Sequence, residues 1–145
     1  LPLLQKRLSR GTVSSPSAER DLTAEYMTDL RIKAPSGSEI VGNLSGGNQQ
    51  KVVLAKWLAT DPEVLIFDEP TRGIDVGARA EIYLIMNRLA AAGKTILMIS
   101  SDMEELIGMS DRVVVLREGN QEGILHKTEI TQETVMALAA QGEPE

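Results

Sequence analysis

Leu44-Ser45-Gly46-Gly47-Asn48-Gln49-Gln50 and, further along, Val64-Leu65-Ile66-Phe67-Asp68-Glu69-Pro70 are the stretches from which the fold is read. The first is a small-residue turn opening a helix; the second is an apolar strand ending in paired carboxylates. Glycine lets another group approach the backbone closely, and a helix N-terminus offers a phosphate unpaired N–H groups and a favourable dipole. Carboxylates at the carboxyl end of a strand stand where ligands sit in open α/β sheets. Taken singly, neither stretch is specific. A helix cap and a turn explain Ser-Gly-Gly, and a solvated turn explains Asp-Glu. Together, and in this order, they describe a nucleotide-handling arrangement.

Outward from these stretches the chain alternates strand and helix. Ser45 is expected to cap a helix running to about Thr60, with Val53, Leu54, Trp57 and Leu58 on its apolar side. Val64-Leu65-Ile66-Phe67 has the continuous apolar character of a strand buried on both faces, and Ile96-Leu97-Met98-Ile99 reads as a second. Between them Ile82, Ile85, Met86 and Leu89 recur at helical spacing, with Gly93 as the stop. A short acidic helix is expected at about 102–108. A hairpin follows, from Val113-Val114-Val115-Leu116 through Gly119-Asn120 to Ile124-Leu125, and then a last helix at about 131–140. Such alternation predicts parallel strands with helices packed on them. Residues 1–43 differ in texture. Ser14-Ser15-Pro16-Ser17 marks a helix start, Ala18, Leu22, Tyr26 and Leu30 form one face, and 31–43 read as a connector.

Composition bounds the possibilities. The 145 residues suit one domain with a real core; 42% are hydrophobic and 25% charged, ordinary globular usage. No apolar run approaches the roughly 18 residues needed to cross a bilayer. Lys6 and Arg7 follow Leu1-Pro2-Leu3-Leu4, the wrong side for a secretory signal, so a soluble cytoplasmic domain is expected. With no cysteine there is no disulfide, thiolate zinc site or thiol nucleophile to argue from. A net charge of −6 argues against nucleic acid as a partner.

Asn48-Gln49-Gln50-Lys51 runs on into an apolar helix, and Thr71-Arg72-Gly73-Ile74-Asp75-Val76-Gly77-Ala78 follows Pro70. With these additions the chain resembles the ATPase domains of ABC transporters. Over essentially its whole length it looks like the C-terminal part of the second ATPase domain of a bacterial sugar-importer ATPase of the ribose/galactose/xylose type. The resemblance implies an α/β fold. Residues 44–145 would be part of a P-loop NTPase core with parallel strands flanked by helices, and 1–43 part of the preceding helical subdomain.

The resemblance also implies roles. Asp68 would hold Mg²⁺, mostly through water, and Glu69 would polarise the attacking water. Ser45, Gly46, Gly47, Asn48 and Gln49 form the signature motif, which in this family closes over the γ-phosphate of ATP held by the opposite domain of a head-to-tail pair. Asn48 replaces the family's commoner glutamine, as in the sugar-importer branch. Asp75 resembles the polar anchor of the loop crossing between the two sites; an acidic helix cap explains it equally well. Ser101 stands where most members have a histidine, and a hydroxyl supplies neither the charge nor the geometry of an imidazole. That puts the catalytic competence of this half in doubt. The implied partners are the other ABC ATPase domain, a transmembrane permease and, indirectly, a periplasmic sugar-binding protein, with the assembly on the cytoplasmic face of the inner membrane.

Gly93-Lys94-Thr95 imitates the end of a phosphate-binding loop, but the required earlier glycine falls on Arg88 and the order is helix, turn, strand. No other stretch fits the pattern. The chain is therefore expected to be part of a longer domain, to need the complete assembly for ATP and Mg²⁺, and to be inactive as an isolated ATPase. A noncatalytic truncated module that keeps the dimer surface is the alternative from another class. A non-transport ABC ATPase is a third reading, disfavoured by Asn48 and the run at 71–78. His126, Asp102, Glu104 and Glu105 read as solvated surface residues.

Overall fold

The computed structural model describes residues 15–140, which divide after Leu97 into two compact units. Ser14, the Leu1-Pro2-Leu3-Leu4 opening and the early part of segment 1–43 lie outside the described residues. Among the described residues no helix is long and apolar enough to cross a membrane.

In the first unit, α1 (Pro16–Asp29) begins at the expected Ser-Pro signal. Ser15 is extended and its hydroxyl accepts from the Ala18 N–H at 3.5 Å, while Pro16 takes a position where a backbone donor would be idle. After a single 3₁₀ turn at Val41–Asn43 comes α2 (Gly46–Leu58). Its buried side is Gly47, Lys51 and Leu54, whereas Val53 and Trp57 are 52% and 49% exposed. The buried stripe is thus rotated from the apolar side expected from the sequence.

β1 (Val64–Asp68) and β2 (Thr95–Ile99) form a parallel pair, joined by the crossover helix α3 (Val76–Ala91) that parallel pairing requires. The Thr95 N–H donates to the Glu63 carbonyl at 2.9 Å. Ile82, Ile85 and Met86 are buried as their spacing predicts, and Gly93 ends the turn after α3 at φ +87°. Lys94, the lysine of the false phosphate loop, pairs with Asp61 at 2.7 Å. Neither strand is buried on both faces. In β1 Leu65 is buried, but Val64 and Ile66 are 57% and 66% exposed; in β2 Leu97 and Ile99 are about half exposed. The expectation of doubly buried strands is corrected on this point. A continuous apolar run records the cover a strand is suited to, and these residues leave one face of it bare.

The second unit holds α4 (Met103–Met109), the antiparallel hairpin β3 (Arg112–Arg117) and β4 (Asn120–His126), a 3₁₀ turn at Lys127–Glu129 and α5 (Gln132–Ala140). Its core is Val113, Val115, Ile130 and Val135, with Met103, Ile107, Leu125 and Leu138 packed around it. The turn residues are Glu118 and Gly119, both at positive φ, the type I′ geometry that matches strand twist; Asn120 already pairs with Arg117. The expected turn is therefore displaced by one residue. Lys127 Nζ donates to the Ser110 and Ile107 carbonyls at 2.9 and 3.3 Å, which satisfies the C-terminal end of α4. His126 is exposed, as expected.

Candidate functional site

The turn at 44–50 is tied down from inside. Ser45 occupies the N-cap position of α2 in extended backbone, but its hydroxyl makes no capping bond, so the expected side-chain cap is corrected. Instead Asn48 Nδ2 donates to Ser45 Oγ at 2.9 Å, and Asn48 Oδ1 accepts from the Lys33 N–H at 2.8 Å. Gln49 Nε2 donates to the Leu44 carbonyl at 2.7 Å. Both carboxamides are thus engaged within the chain. Gln50, which the sequence reading did not single out, donates to the Pro70 carbonyl at 2.8 Å and links the turn's helix to the end of β1.

The two glycines differ in kind. Gly46 is exposed, and a Cβ there would meet only Ile74 Cγ2 at 3.7 Å and the Gly73 carbonyl at 3.9 Å, ordinary contacts. Gly47 is buried, and a Cβ there would fall 2.4 Å from the Ala78 Cβ. Close packing of the first turn of α2 on the first turn of α3 therefore demands glycine at 47. Bare backbone for a ligand is offered at 46.

β1 ends in Asp68, exposed, followed by Glu69, half-buried and at φ +48°, a conformation uncommon for residues other than glycine. Pro70 and Thr71 turn inward and are buried. The Arg72 N–H then closes a turn onto the Glu69 carbonyl at 3.2 Å, and Gly73 takes φ +76°. Asp75 Oδ1 accepts from the Ala78 N–H at 2.9 Å and caps α3, so the capping role of Asp75 is real. Among the described residues no cluster of three or more acidic or imidazole groups forms a closed metal cage. An exposed Asp68 beside Glu69 fits Mg²⁺, which keeps several of its waters and needs few protein carboxylates.

An apolar groove of about 460 Å³ runs along α2 and β1 past Val53, Trp57, Val64 and Ile66 to Asp68. Its walls offer little to a triphosphate. Beneath α2, Lys51 is 2% exposed and donates to the Arg31 carbonyl at 3.0 Å and to the Glu81 carboxylate. The bond from Lys51 holds the Glu81 carboxyl below its ordinary range. The sequence reading missed this pair, although Lys51 shares a helical face with Gly47 and Leu54.

In the second unit, Ser101 is exposed after β2. Its neighbour Ser100 donates to the Glu105 carboxylate and accepts from the Asp102 N–H at 3.0 Å. Asp102 caps α4 through the Glu104 and Glu105 N–H groups. Glu105 is only 3% exposed, which corrects the reading of it as a solvated carboxylate.

A family model described as ABC transporter matches residues 3–72. The chain is 55% identical over 143 residues to "Ribose import ATP-binding protein RbsA" of Bacillus cereus, covering 99% of this chain and 29% of that protein. It is 53% identical to "Putative ribose/galactose/methyl galactoside import ATP-binding protein 2" of Rhizobium meliloti, over 95% of this chain and 27% of that one. The chain thus spans less than a third of the length of these curated relatives. Among solved structures, a dimeric post-hydrolysis state of the ATP-binding cassette MJ0796 bound to ADP and Pi aligns with TM-score 0.71 and 26% identity. The alignment covers 88% of this chain and 53% of that one.

Proposed function

The chain belongs to the ABC transporter ATPase family, and from that premise we propose that it works within a longer ATPase subunit that couples ATP hydrolysis to import of a sugar. Its turn at 45–49 acts on the nucleotide held by the other ATPase domain, and its strand end at 68–69 serves the site of its own domain. The resemblance to ribose and galactoside import proteins supports the transport role. A dimeric relative with ADP and Pi supports pairing of two ATPase domains. The permease and a sugar-binding protein would be the further partners, with the subunit on the cytoplasmic face of the membrane.

One observation carries the reading: at the N-terminus of the thirteen-residue α2, Ser45 and Gly46 are exposed while Gly47 is anchored against Ala78. A fixed helix N-terminus with bare backbone and a hydroxyl suits a phosphate, since donors and dipole are already aimed. Asp68 would hold Mg²⁺, which when bound would neutralise phosphate charge. Glu69 would accept a hydrogen bond from the attacking water and orient it, and Asp75 would hold the crossing loop by capping α3. Ser101 can donate one hydrogen bond to a phosphate oxygen without adding positive charge. Hence this half's own site would be the weaker of the two.

The experiment is Gly46→Asp in the complete subunit. Asp at the first position of a helix is compatible with its dipole, and the site has room. A folded variant that no longer pairs its ATPase domains on ATP is the expected result.

A further inference from the structure

Ser45 Oγ has one proton to give and two lone-pair directions to receive. Its only hydrogen-bond partner among the described residues is Asn48 Nδ2, at 2.9 Å, and that group can only donate. The orientation of the Asn48 carboxamide is set by a third group. The Lys33 backbone N–H also can only donate, and it lies 2.8 Å from the other end of the carboxamide, which must therefore be the oxygen. Lys33 N–H to Asn48 oxygen, then Asn48 N–H to Ser45 oxygen, is a chain with one direction. Its end is a serine proton that Asn48, itself a donor to Ser45 Oγ, does not engage. Ser45 is exposed, so that proton is offered to whatever faces the turn.

We propose that Asn48 is a positioning residue: anchored by the Lys33 amide, it occupies the lone-pair side of Ser45 Oγ and leaves the hydroxyl proton directed outward, as a donor to a phosphoryl oxygen of the facing nucleotide. This rests on the proposed shared ATP site and deepens it. Asn48 need not touch the nucleotide at all; it acts through Ser45. An aspartate in its place would still accept from the Lys33 N–H, but it would present an acceptor to Ser45 and draw the proton inward.

The test is a double-mutant cycle in the complete ATPase subunit, reading steady-state turnover and ATP-driven domain pairing, with thermal melting to confirm folding. Ser45→Ala and Asn48→Leu should each lower turnover by a similar factor, on the order of tenfold for a lost hydrogen bond to a charged group. The double variant should be no worse than Ser45→Ala alone. Asn48→Asp is nearly isosteric and keeps the Lys33 bond, so it guards against a folding defect in Asn48→Leu. It should lose activity in the Ser45 background and lose little more once Ser45 is alanine. Losses that multiply independently would overturn the inference, as would an Asn48→Asp loss that persists in full without the hydroxyl. If Ser45→Ala is silent the inference also fails, and Gly46→Asp then shows whether the shared-site reading fails with it.

Discussion

The turn at 45–50 and the strand end at 68–69 lie close in sequence but are built in opposite ways. The turn is held by bonds this chain supplies itself: Asn48 to Lys33, Gln49 to Leu44, Gln50 to Pro70, and the contact of Gly47 with Ala78. Everything inward is engaged, and Ser45 and Gly46 are left outward. The strand that delivers Asp68 and Glu69 has one buried residue, Leu65, and an apolar face exposed at Val64 and Ile66. Glu69 sits in left-handed backbone, which persists only where the surroundings hold it. The turn is preorganised by local contacts; the strand end is tied by Gln50 at Pro70 and carries a bare apolar face.

The largest expected effect separates those two roles. General-base assistance is worth about 10²- to 10⁴-fold, and we propose that serine at 101 makes this half's site the weaker. Glu69→Gln in the complete subunit should lower total turnover less than the same change at the other domain's equivalent carboxylate. Steady-state ATPase assays of the two variants make the comparison; equal losses would show that both sites fire.

An intermediate effect probes the rigidity of the turn. Gly47→Ala puts a methyl group into the space held by Ala78 and should destabilise by roughly 1–3 kcal/mol, as overpacking does. Adding Ala78→Gly should recover most of that loss in urea melts. A Gly47→Ala protein of unchanged stability would mean the two helix starts separate easily and the turn is not preorganised.

The smallest effect is a pH dependence beneath the turn. The Lys51 hydrogen bond holds the Glu81 carboxyl below its ordinary range, so the ionised form is favoured in the folded state. The stability this supplies is present above the ordinary glutamate range and is lost as pH falls through the lower folded value. The Glu81 side chain is 44% exposed, and solvent screening keeps the contribution under about 1 kcal/mol. Glu81→Gln should flatten that part of the acid limb in melts taken from neutral to acid pH. An unchanged limb would remove Glu81 from the account.

Much of the fold was legible because periodicity reports burial directly. Ile82, Ile85 and Met86 are buried where a helical repeat puts them, and Ser15-Pro16 starts α1. The misreadings have physical causes. Hydropathy places Val53 and Trp57 on the inner side of α2, but the closest approach is made by Gly47, and the face it selects carries Lys51. A lysine is foreseen in a core only if its partners are known, and Arg31 and Glu81 are distant in sequence. Glu105 is hidden for the same reason, its partner Ser100 lying across a turn. Ser45 has the residue type of a cap, but its oxygen accepts from Asn48 instead of from the helix N–H groups, and propensity cannot weigh that competition. At the candidate site, residue types located the turn and the carboxylates. Which glycine faces outward and which side chain acts through another depended on tertiary contacts.

We propose that this turn completes an ATP site belonging to another domain. The most direct test is one set of measurements on the complete Gly46→Asp subunit: turnover, ATP affinity of the other domain's phosphate loop, and melting temperature. The expected result is a folded protein that still binds ATP on that loop, more weakly without closure, and whose turnover collapses. Normal turnover in the folded variant would contradict it, and would leave the turn as the start of a helix and nothing more.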